Sequence, residues 1–112
     1  MNLPIKPICE RRFVRKNGTS LIYIQYCYSA EKRTLLNTEI AIPPQFWNQK
    51  KECISEKLPI EFGIAEEINS ELRRMLRVVE DIITYGIKRN ILDMGDFVKG
   101  SFKPDFDINK FR

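Results

Sequence analysis

Apolar and polar positions alternate through the first third of this chain and then change to a helical spacing. Residues 20–29 read SLIYIQYCYS, in which β-branched and aromatic residues crowd together without a helical period. Such a run is typical of a β-strand with one buried face. The Asn-Gly pair at 17–18 indicates a tight hairpin, because a type I′ turn needs positive φ at both central residues. Residues 9–42 therefore predict three antiparallel strands joined by two tight turns.

The first predicted hairpin has a buried side and an outer side. With the turn at the Asn-Gly pair, Phe13 lies opposite Ile22, and the same register sets Arg11 opposite Ile24. Directly opposed residues share a face of the sheet. The predicted core side consists of Cys9, Phe13, Ile22, Ile24, Tyr26 and Tyr28, and the predicted outer side of Glu10, Arg12, Tyr23, Gln25 and Cys27.

The third strand has to match this division. A three-residue loop over residues 29–31 sets Ile24 opposite Leu36 and lets Ile40 continue inward. A two-residue loop would shift the register by one and turn Leu36 and Ile40 outward. The outer side therefore gains Arg33, Leu35, Asn37 and Glu39.

The segment after the sheet begins with the sequence IPPQFWN at residues 42–48. Its two prolines end the third strand, and its Phe-Trp pair is costly to expose. Trp47 is therefore predicted to fill the space between the sheet and a helix, and stacking of Trp47 on a nucleic-acid base is the alternative. The polar residues that follow predict a loop as far as residue 60.

Apolar residues recur at a helical spacing between residues 61 and 89, at positions 64, 68, 72, 75, 76, 79, 82, 83 and 87. The opposite face carries charges of both signs, with acidic residues early and basic residues late, as the helix dipole favours. This stripe predicts a helix that covers the apolar face of the sheet. Use of the stripe for assembly with another protein is the alternative.

A short extra helix is predicted over residues 93–99, because Asp93 is a suitable N-cap and Asp96 follows three residues later. The fold class is therefore α+β, with a three-stranded antiparallel sheet packed against one long C-terminal helix. We interpret residues 1–99 as one domain (sheet 7–42, turn and loop 43–60, helix 61–89, short helix 93–99). Residues 100–112 are interpreted as a linker toward a core-binding and catalytic region that is absent from this sequence.

Composition limits the classes of function. The 112 residues carry a net charge of +4, and residues 1–60 hold ten Lys and Arg against five Asp and Glu, so the basic excess lies in the sheet half. A localised excess suggests a polyanionic partner. The sequence has no apolar run long enough for a membrane span and no secretory leader, so we expect an intracellular protein. Its three cysteines lack metal-binding spacing and are expected to be reduced thiols.

Candidate catalytic groups are few, because the chain contains no histidine and no glycine-rich phosphate loop. The helical carboxylates lie among arginines and are interpreted as surface ion pairs. The outer side of the sheet, with basic residues at the hairpin tips, is therefore the remaining candidate for a functional surface. A sheet of this width can enter the major groove of DNA, where Arg pairs with guanine and Gln or Asn with adenine. A plain solvated sheet face is the alternative, and spacing alone does not separate the two.

Three stretches together resemble a known family: KNGTSLIYIQY at 16–26, EKRTLLNTEIAIPPQFWN at 31–48, and the charged helix that follows. They are similar to the N-terminal arm-type DNA-binding domain of tyrosine recombinases, particularly phage-type integrases of bacterial conjugative transposons. That family shows a "dG…piylri" hairpin, a "kr…fsTgi" third strand, a "vpp..W" turn and a long helix. The similarity covers about residues 7–99. This chain has Gln25 where the family often has Arg and Glu39 where it often has Gly.

The resemblance implies a DNA-integration and recombination role without catalysis by this chain, since strand cleavage would belong to a separate catalytic domain. It implies that the sheet docks in the major groove of double-stranded arm-type sites, in the bacterial cytoplasm at the nucleoid, with other recombinase protomers as further partners. No cofactor or metal is implied. The predicted DNA-binding residues are Arg12, Arg15, Lys16, Tyr23, Gln25, Lys32, Arg33, Leu35 and Asn37.

Overall fold

Three antiparallel strands form the main sheet, in the order β1–β2–β3. The computed structural model describes residues 4–103. The strands are β1 (Ile5–Cys9), β2 (Ser20–Cys27) and β3 (Arg33–Ile42). Along β2, buried and half-buried residues alternate, because one side of the strand faces the core and the other faces outward.

The register of the first hairpin differs from the prediction. β1 begins at Ile5, before the predicted start of the sheet, and pairs Cys9 with Ile22 and Pro7 with Ile24. The predicted register would have put a guanidinium opposite Ile24 on the buried face, where a charge loses its hydration without a partner. The observed register places the buried Pro7 there instead.

Pro7 is accommodated because β1 lies at the edge of the sheet. The amide of Glu10 donates to the carbonyl of Leu21 (3.0 Å), and the amide of Cys27 donates to the carbonyl of Pro4 (2.9 Å). The hydrogen-bonded pairs of this ladder therefore fall on the even-numbered residues of β1. The nitrogen of Pro7 points away from β2, so its missing N–H leaves no gap in the ladder.

The turn at the Asn-Gly pair is present but is not the predicted type. Gly18 has a φ of 81°, its amide donates to the carbonyl of Arg15 (2.9 Å), and the amide of Arg15 donates to the carbonyl of Thr19 (2.8 Å). The side-chain oxygen of Asn17 accepts from the amide of Thr19 (3.1 Å). These bonds describe a three-residue loop with glycine in the left-handed position.

Residues 11–14 leave the sheet between this turn and β1. Phe13 was predicted in the core, and that prediction was wrong, since its side chain is 72% exposed. The prediction assumed an unbroken ladder from the turn to residue 9. The turn is held by its own local bonds, whereas the position of β1 is determined by the burial of Pro7 and the partial burial of Ile5 and Cys9.

The second hairpin confirms the predicted register, with Ile24 opposite Leu36. Further along, the register shifts by two residues, and Leu21 lies opposite Ala41. A shift by an even number keeps the same side chains inward, so Ile42 remains in the core.

Thr38 lies at the centre of this bulge and is almost fully buried. Its hydroxyl donates to the carbonyl of Ile22 (2.6 Å) and accepts from the amide of Ile40 (3.1 Å). The next residue, Glu39, has a φ of 63°, in the left-handed region that non-glycine residues rarely adopt. The amide of Glu39 donates to the side-chain oxygen of Asn37 (2.7 Å). Side-chain hydrogen bonds from Thr38 and Asn37 thus replace backbone ladder bonds where β3 is irregular.

A two-stranded ribbon occupies part of the segment predicted as a turn and loop. Its strands are β4 (Trp47–Asn48) and β5 (Cys53–Ile54). The side chain of Asn69 accepts from the amide of Ile54 (2.8 Å) and donates to its carbonyl (3.0 Å), which joins the ribbon to the helix. Trp47 is buried as predicted, and the other buried members of its cluster are Ile22, Ile42, Ile54, Leu58 and Leu72.

The long helix α1 (Ala65–Lys88) begins four residues later than predicted, after a 3₁₀ turn at Ile60–Phe62. It ends at Lys88 and is followed two residues later by Asn90 in the left-handed conformation, with a φ of 55°. The amide of Asn90 donates to the carbonyl of Ile87, which satisfies one carbonyl of the last turn. The buried residues of α1 join strand residues in the core, which confirms the packing of helix on sheet and the α+β class. They are Leu72, Met75, Val79 and Ile83, whereas the buried Gly86 lies against Met94 and Phe97 of the following segment.

The short helix α2 (Met94–Ser101) is capped as predicted, since the carboxylate of Asp93 accepts from the amide of Asp96 (3.1 Å). Its packed part continues past the predicted end at residue 99, because Phe102 is also buried. Gly95 allows α2 to approach the sheet closely, since a Cβ there would lie only 2.5 Å from the ring of Tyr28. Residues 104–112 of the predicted linker lie outside the described residues. Neither α1 nor α2 is long and apolar enough to cross a membrane.

Candidate nucleic-acid interface

The side of the sheet turned away from α1 presents a compact set of mixed side chains, which we call the outer face. Strand pairing places them in three rows across the strands. The rows are Ile8 with Tyr23 and Asn37, then Lys6 with Gln25 and Leu35, and finally Cys27 with Arg33. The outer face is therefore basic and polar, with apolar side chains in each of the first two rows.

Five of the nine predicted DNA-binding residues come together on this face. The central ones on β2 are half-buried by their neighbours, whereas Arg33 and Asn37 on β3 are exposed. The structure thus confirms that these five side chains share one face, as the alternation of β2 and β3 predicted. The five residues are Tyr23, Gln25, Arg33, Leu35 and Asn37.

Gln25 is held at the centre of the outer face by its neighbours. The guanidinium of Arg33 donates to the amide oxygen of Gln25 (3.2 Å), and the amide nitrogen of Gln25 donates to the thiol sulfur of Cys27 (3.5 Å). The guanidinium has five N–H donors in a planar fork. This contact therefore orients the exposed Arg33 across the strands while it uses only one nitrogen of the fork.

Asn37 is constrained by the bulge. Its side-chain oxygen accepts a hydrogen bond from the amide of Glu39, so one of its two lone pairs is used by the backbone and its orientation is fixed. The NH₂ group of Asn37 remains a donor for an external acceptor. Asn37 is therefore better suited to donate than to form the two-point contact with adenine that the sequence suggested.

Arg12 does not lie on the outer face, and its predicted placement there was wrong. Residues 11–14 leave the sheet, so Arg12 lies in the loop after β1 with its side chain 80% exposed. Its Nε donates to the carboxylate of Glu10 (3.3 Å). Glu10 likewise follows the end of β1. The change of register described above accounts for both corrections.

The remaining predicted cations lie at the two ends of the sheet. Arg15 and Lys16 are exposed at the turn between β1 and β2, and the guanidinium of Arg15 donates to the hydroxyl of Thr19 (3.2 and 3.3 Å). Lys32 is exposed in the loop between β2 and β3, at the opposite end. Positive charge therefore flanks the outer face along the strand direction.

Sequence reasoning missed Lys6 and Ile8, which β1 adds to the outer face. The signal was present in the sequence IKPIC, where the alternation continues to the edge of the sheet. Pro7 obscures this signal, because proline cannot donate to a ladder and fits a strand only where its nitrogen points away from the neighbouring strand, as at a sheet edge.

The buried side of the sheet contains two groups, Cys9 and Tyr26, whose pKa is raised. Burial raises the pKa of the Cys9 thiol above its ordinary value, and the nearby Arg11 lowers it by less. Burial also raises the pKa of Tyr26. Both groups are therefore kept neutral. Among residues 4–103, no cluster of His, Cys, Asp and Glu side chains is placed to hold a metal ion.

A family model described as an arm DNA-binding domain matches residues 8–91, from the second half of β1 to the residues just after α1. The chain belongs to the arm DNA-binding domain family. The resemblance inferred from the sequence is thereby confirmed, and DNA is the class of partner of this arm DNA-binding domain. This family is found in phage integrases. No curated protein and no solved structure matches the chain.

Proposed function

We propose that this chain is the N-terminal DNA-binding domain of a tyrosine recombinase of a bacterial mobile element. It recognises arm-type sites by inserting the outer face of its sheet into the major groove. In this role it catalyses nothing itself, and strand cleavage belongs to a separate catalytic domain of the parent integrase. It acts at the nucleoid in the cytoplasm, together with other recombinase protomers.

The observation that carries the proposal is the shape of the outer face. Adjacent strands lie ~4.8 Å apart, so three strands span roughly 10 Å, and the major groove is about 12 Å wide. The outer-face side chains form contiguous rows across all three strands. A protrusion of this width reaches base edges without displacing the phosphates.

The chemistry of the face supports direct reading of bases. Arg33, oriented by Gln25, presents a guanidinium fork that suits the two acceptors of guanine. The second N–H of the Gln25 amide and the NH₂ group of Asn37 can donate to base acceptors, and Leu35 suits the methyl group of thymine. The cations at the ends of the sheet, Arg15, Lys16 and Lys32, suit phosphates, which position a protein without specifying sequence.

The helix offers little support for the alternative of a protein-interaction domain. Most of the apolar stripe of α1 that would form such an interface is buried or half-buried in the core, including Leu72, Val79 and Ile83, and Ile87 is exposed only at the end of the helix. Its exposed side carries both signs of charge, as in the ion pair between Glu71 and Arg74. We therefore favour a supporting role for α1.

The proposal is tested by selecting bound sequences from a pool of randomised duplexes and measuring affinity by fluorescence anisotropy. Arg33→Ala should weaken binding to the selected duplex by about 5- to 150-fold, which corresponds to ~1–3 kcal/mol, and should relax the preference at one position. Lys16→Ala should weaken all duplexes alike and flatten the salt slope by about 0.9. Arg73→Ala, which removes an exposed arginine on α1, is the control and should change neither quantity.

A map of amide shifts on adding duplex DNA gives an independent readout. Shifts along β2 and β3 with little change along α1 would agree with the proposal. Shifts confined to α1, or equal losses for Arg33→Ala and Arg73→Ala, would contradict it.

A further inference from the structure

The outer face does not end at β3, because the end of α2 continues it. A groove there is lined by Tyr23, Leu35 and Asn37 from the outer face, by Lys99 of α2 and by Lys103, which lies two residues after α2. Glu39 also lines it. The two lysines were not among the residues predicted to bind DNA.

Burial of the neighbouring residues determines the position of these lysines. Val98 and Phe102 belong to the same core cluster as Leu36 of β3 and Ile24 of β2. Lys99 and Lys103 each follow one of these buried residues and are exposed. The backbone of both lysines is thus fixed beside the free edge of β3, while their ammonium groups face solvent.

The charge around the groove is also unbalanced. Within residues 4–103, the ion pairs at 4.0 Å or closer are Arg12 with Glu10 and Arg74 with Glu71, so neither groove lysine is paired with a carboxylate. Two ammonium groups that have no carboxylate partner among residues 4–103 therefore line the same groove as side chains proposed to read bases. A DNA duplex seated on the outer face brings a phosphate strand past one edge of the sheet, because each groove is bounded by two backbones.

We propose that Lys99 and Lys103 bind the phosphate backbone that runs along the β3 edge, so that α2 forms part of the DNA-binding surface. This inference rests on the proposed docking of the outer face. It assigns a positioning role to α2, since phosphate contacts fix register and orientation but carry no sequence information.

The test is the double variant Lys99→Ala with Lys103→Ala, measured by anisotropy against the selected duplex and an unrelated duplex over a series of salt concentrations. Loss of two phosphate contacts should flatten the slope of log affinity against log salt by ~1.8. Affinity for both duplexes should fall roughly tenfold at low salt, with the ratio between them unchanged. The double variant Lys99→Arg with Lys103→Arg keeps both charges and should retain the slope.

The matched control is Lys57→Ala with Arg77→Ala, which removes two exposed cations elsewhere on the molecule and should leave the slope unchanged. Equal slopes for the groove variant and this control would overturn the inference while leaving the proposed function intact. Failure of the unaltered chain to bind any duplex would instead overturn the proposed function. Thermal melting of each variant verifies that the fold is retained, because all four side chains are exposed.

Discussion

Replacement of Thr38 by Val tests whether the irregular part of β3 is held by a side chain. Val has nearly the same shape but lacks the hydroxyl, which donates to the carbonyl of Ile22 and accepts from the amide of Ile40. Each such hydrogen bond contributes about 0.5–1.5 kcal/mol net, so the loss of both should reduce the free energy of unfolding by about 1–3 kcal/mol. Thr38 is 1% exposed, so water cannot replace the hydroxyl without opening the core.

The assay is urea unfolding followed by circular dichroism, with thermal melting as a second measure. A domain of this size should lose roughly 4–8 °C of melting temperature per kcal/mol. Thr38→Ser is the control, because it keeps the hydroxyl and removes only a methyl group, at a cost of about 1 kcal/mol. If Thr38→Val proved as stable as the unaltered chain, or more stable than Thr38→Ser, the bulge would not depend on these bonds.

Two further predictions concern the bulge and the buried ionisable groups. Glu39→Gly should relieve the left-handed strain and raise the free energy of unfolding by up to about 1 kcal/mol. It should also tighten DNA binding, because it removes a carboxylate from the groove beside β3. Glu39→Gln should tighten DNA binding in the same way without the gain in stability. Equal stability of the two variants in urea would contradict the strain argument. Because burial raises the pKa of Cys9 and Tyr26, the stability that these groups contribute is fully present below their unfolded-state pKa values and is lost as pH rises through the folded ones. Urea titrations should therefore show a constant free energy of unfolding up to about pH 8 and a decline above about pH 9. The decline should be less steep in Cys9→Ala. A free energy of unfolding that is independent of pH up to about pH 11 would contradict the burial of both groups.

Patterns within single elements and between close neighbours were readable from the sequence. The alternation of β2 identified its faces, and a short loop left one register for β3 that buried Leu36. The apolar period of α1 and the capping carboxylate of Asp93 predicted the two helices, with boundary errors of a few residues. Each of these signals arises from contacts that lie close together along the chain.

The first hairpin could not be predicted in the same way, because two demands competed. The Asn-Gly turn favoured a continuous ladder, but such a ladder would have buried the charged Arg11 opposite Ile24 in place of the apolar Pro7. Burial prevailed, because an unpaired charge in the core costs more than a break in a ladder. The correction removed Arg12 from the outer face and added Lys6 and Ile8.

By itself, the sequence determined the kind of each major element, the inward faces of β2 and β3, the burial of Trp47 and the membership of a DNA-binding family. Only the tertiary structure decided the register of β1, the ribbon of β4 and β5, the bulge at Thr38 and the position of Lys99 and Lys103 beside β3. The physical reason is the separation along the sequence over which each kind of interaction acts. Periodicity and turn chemistry act between residues that are near in sequence, whereas register at a sheet edge and the docking of α2 depend on which distant apolar surfaces can be buried together.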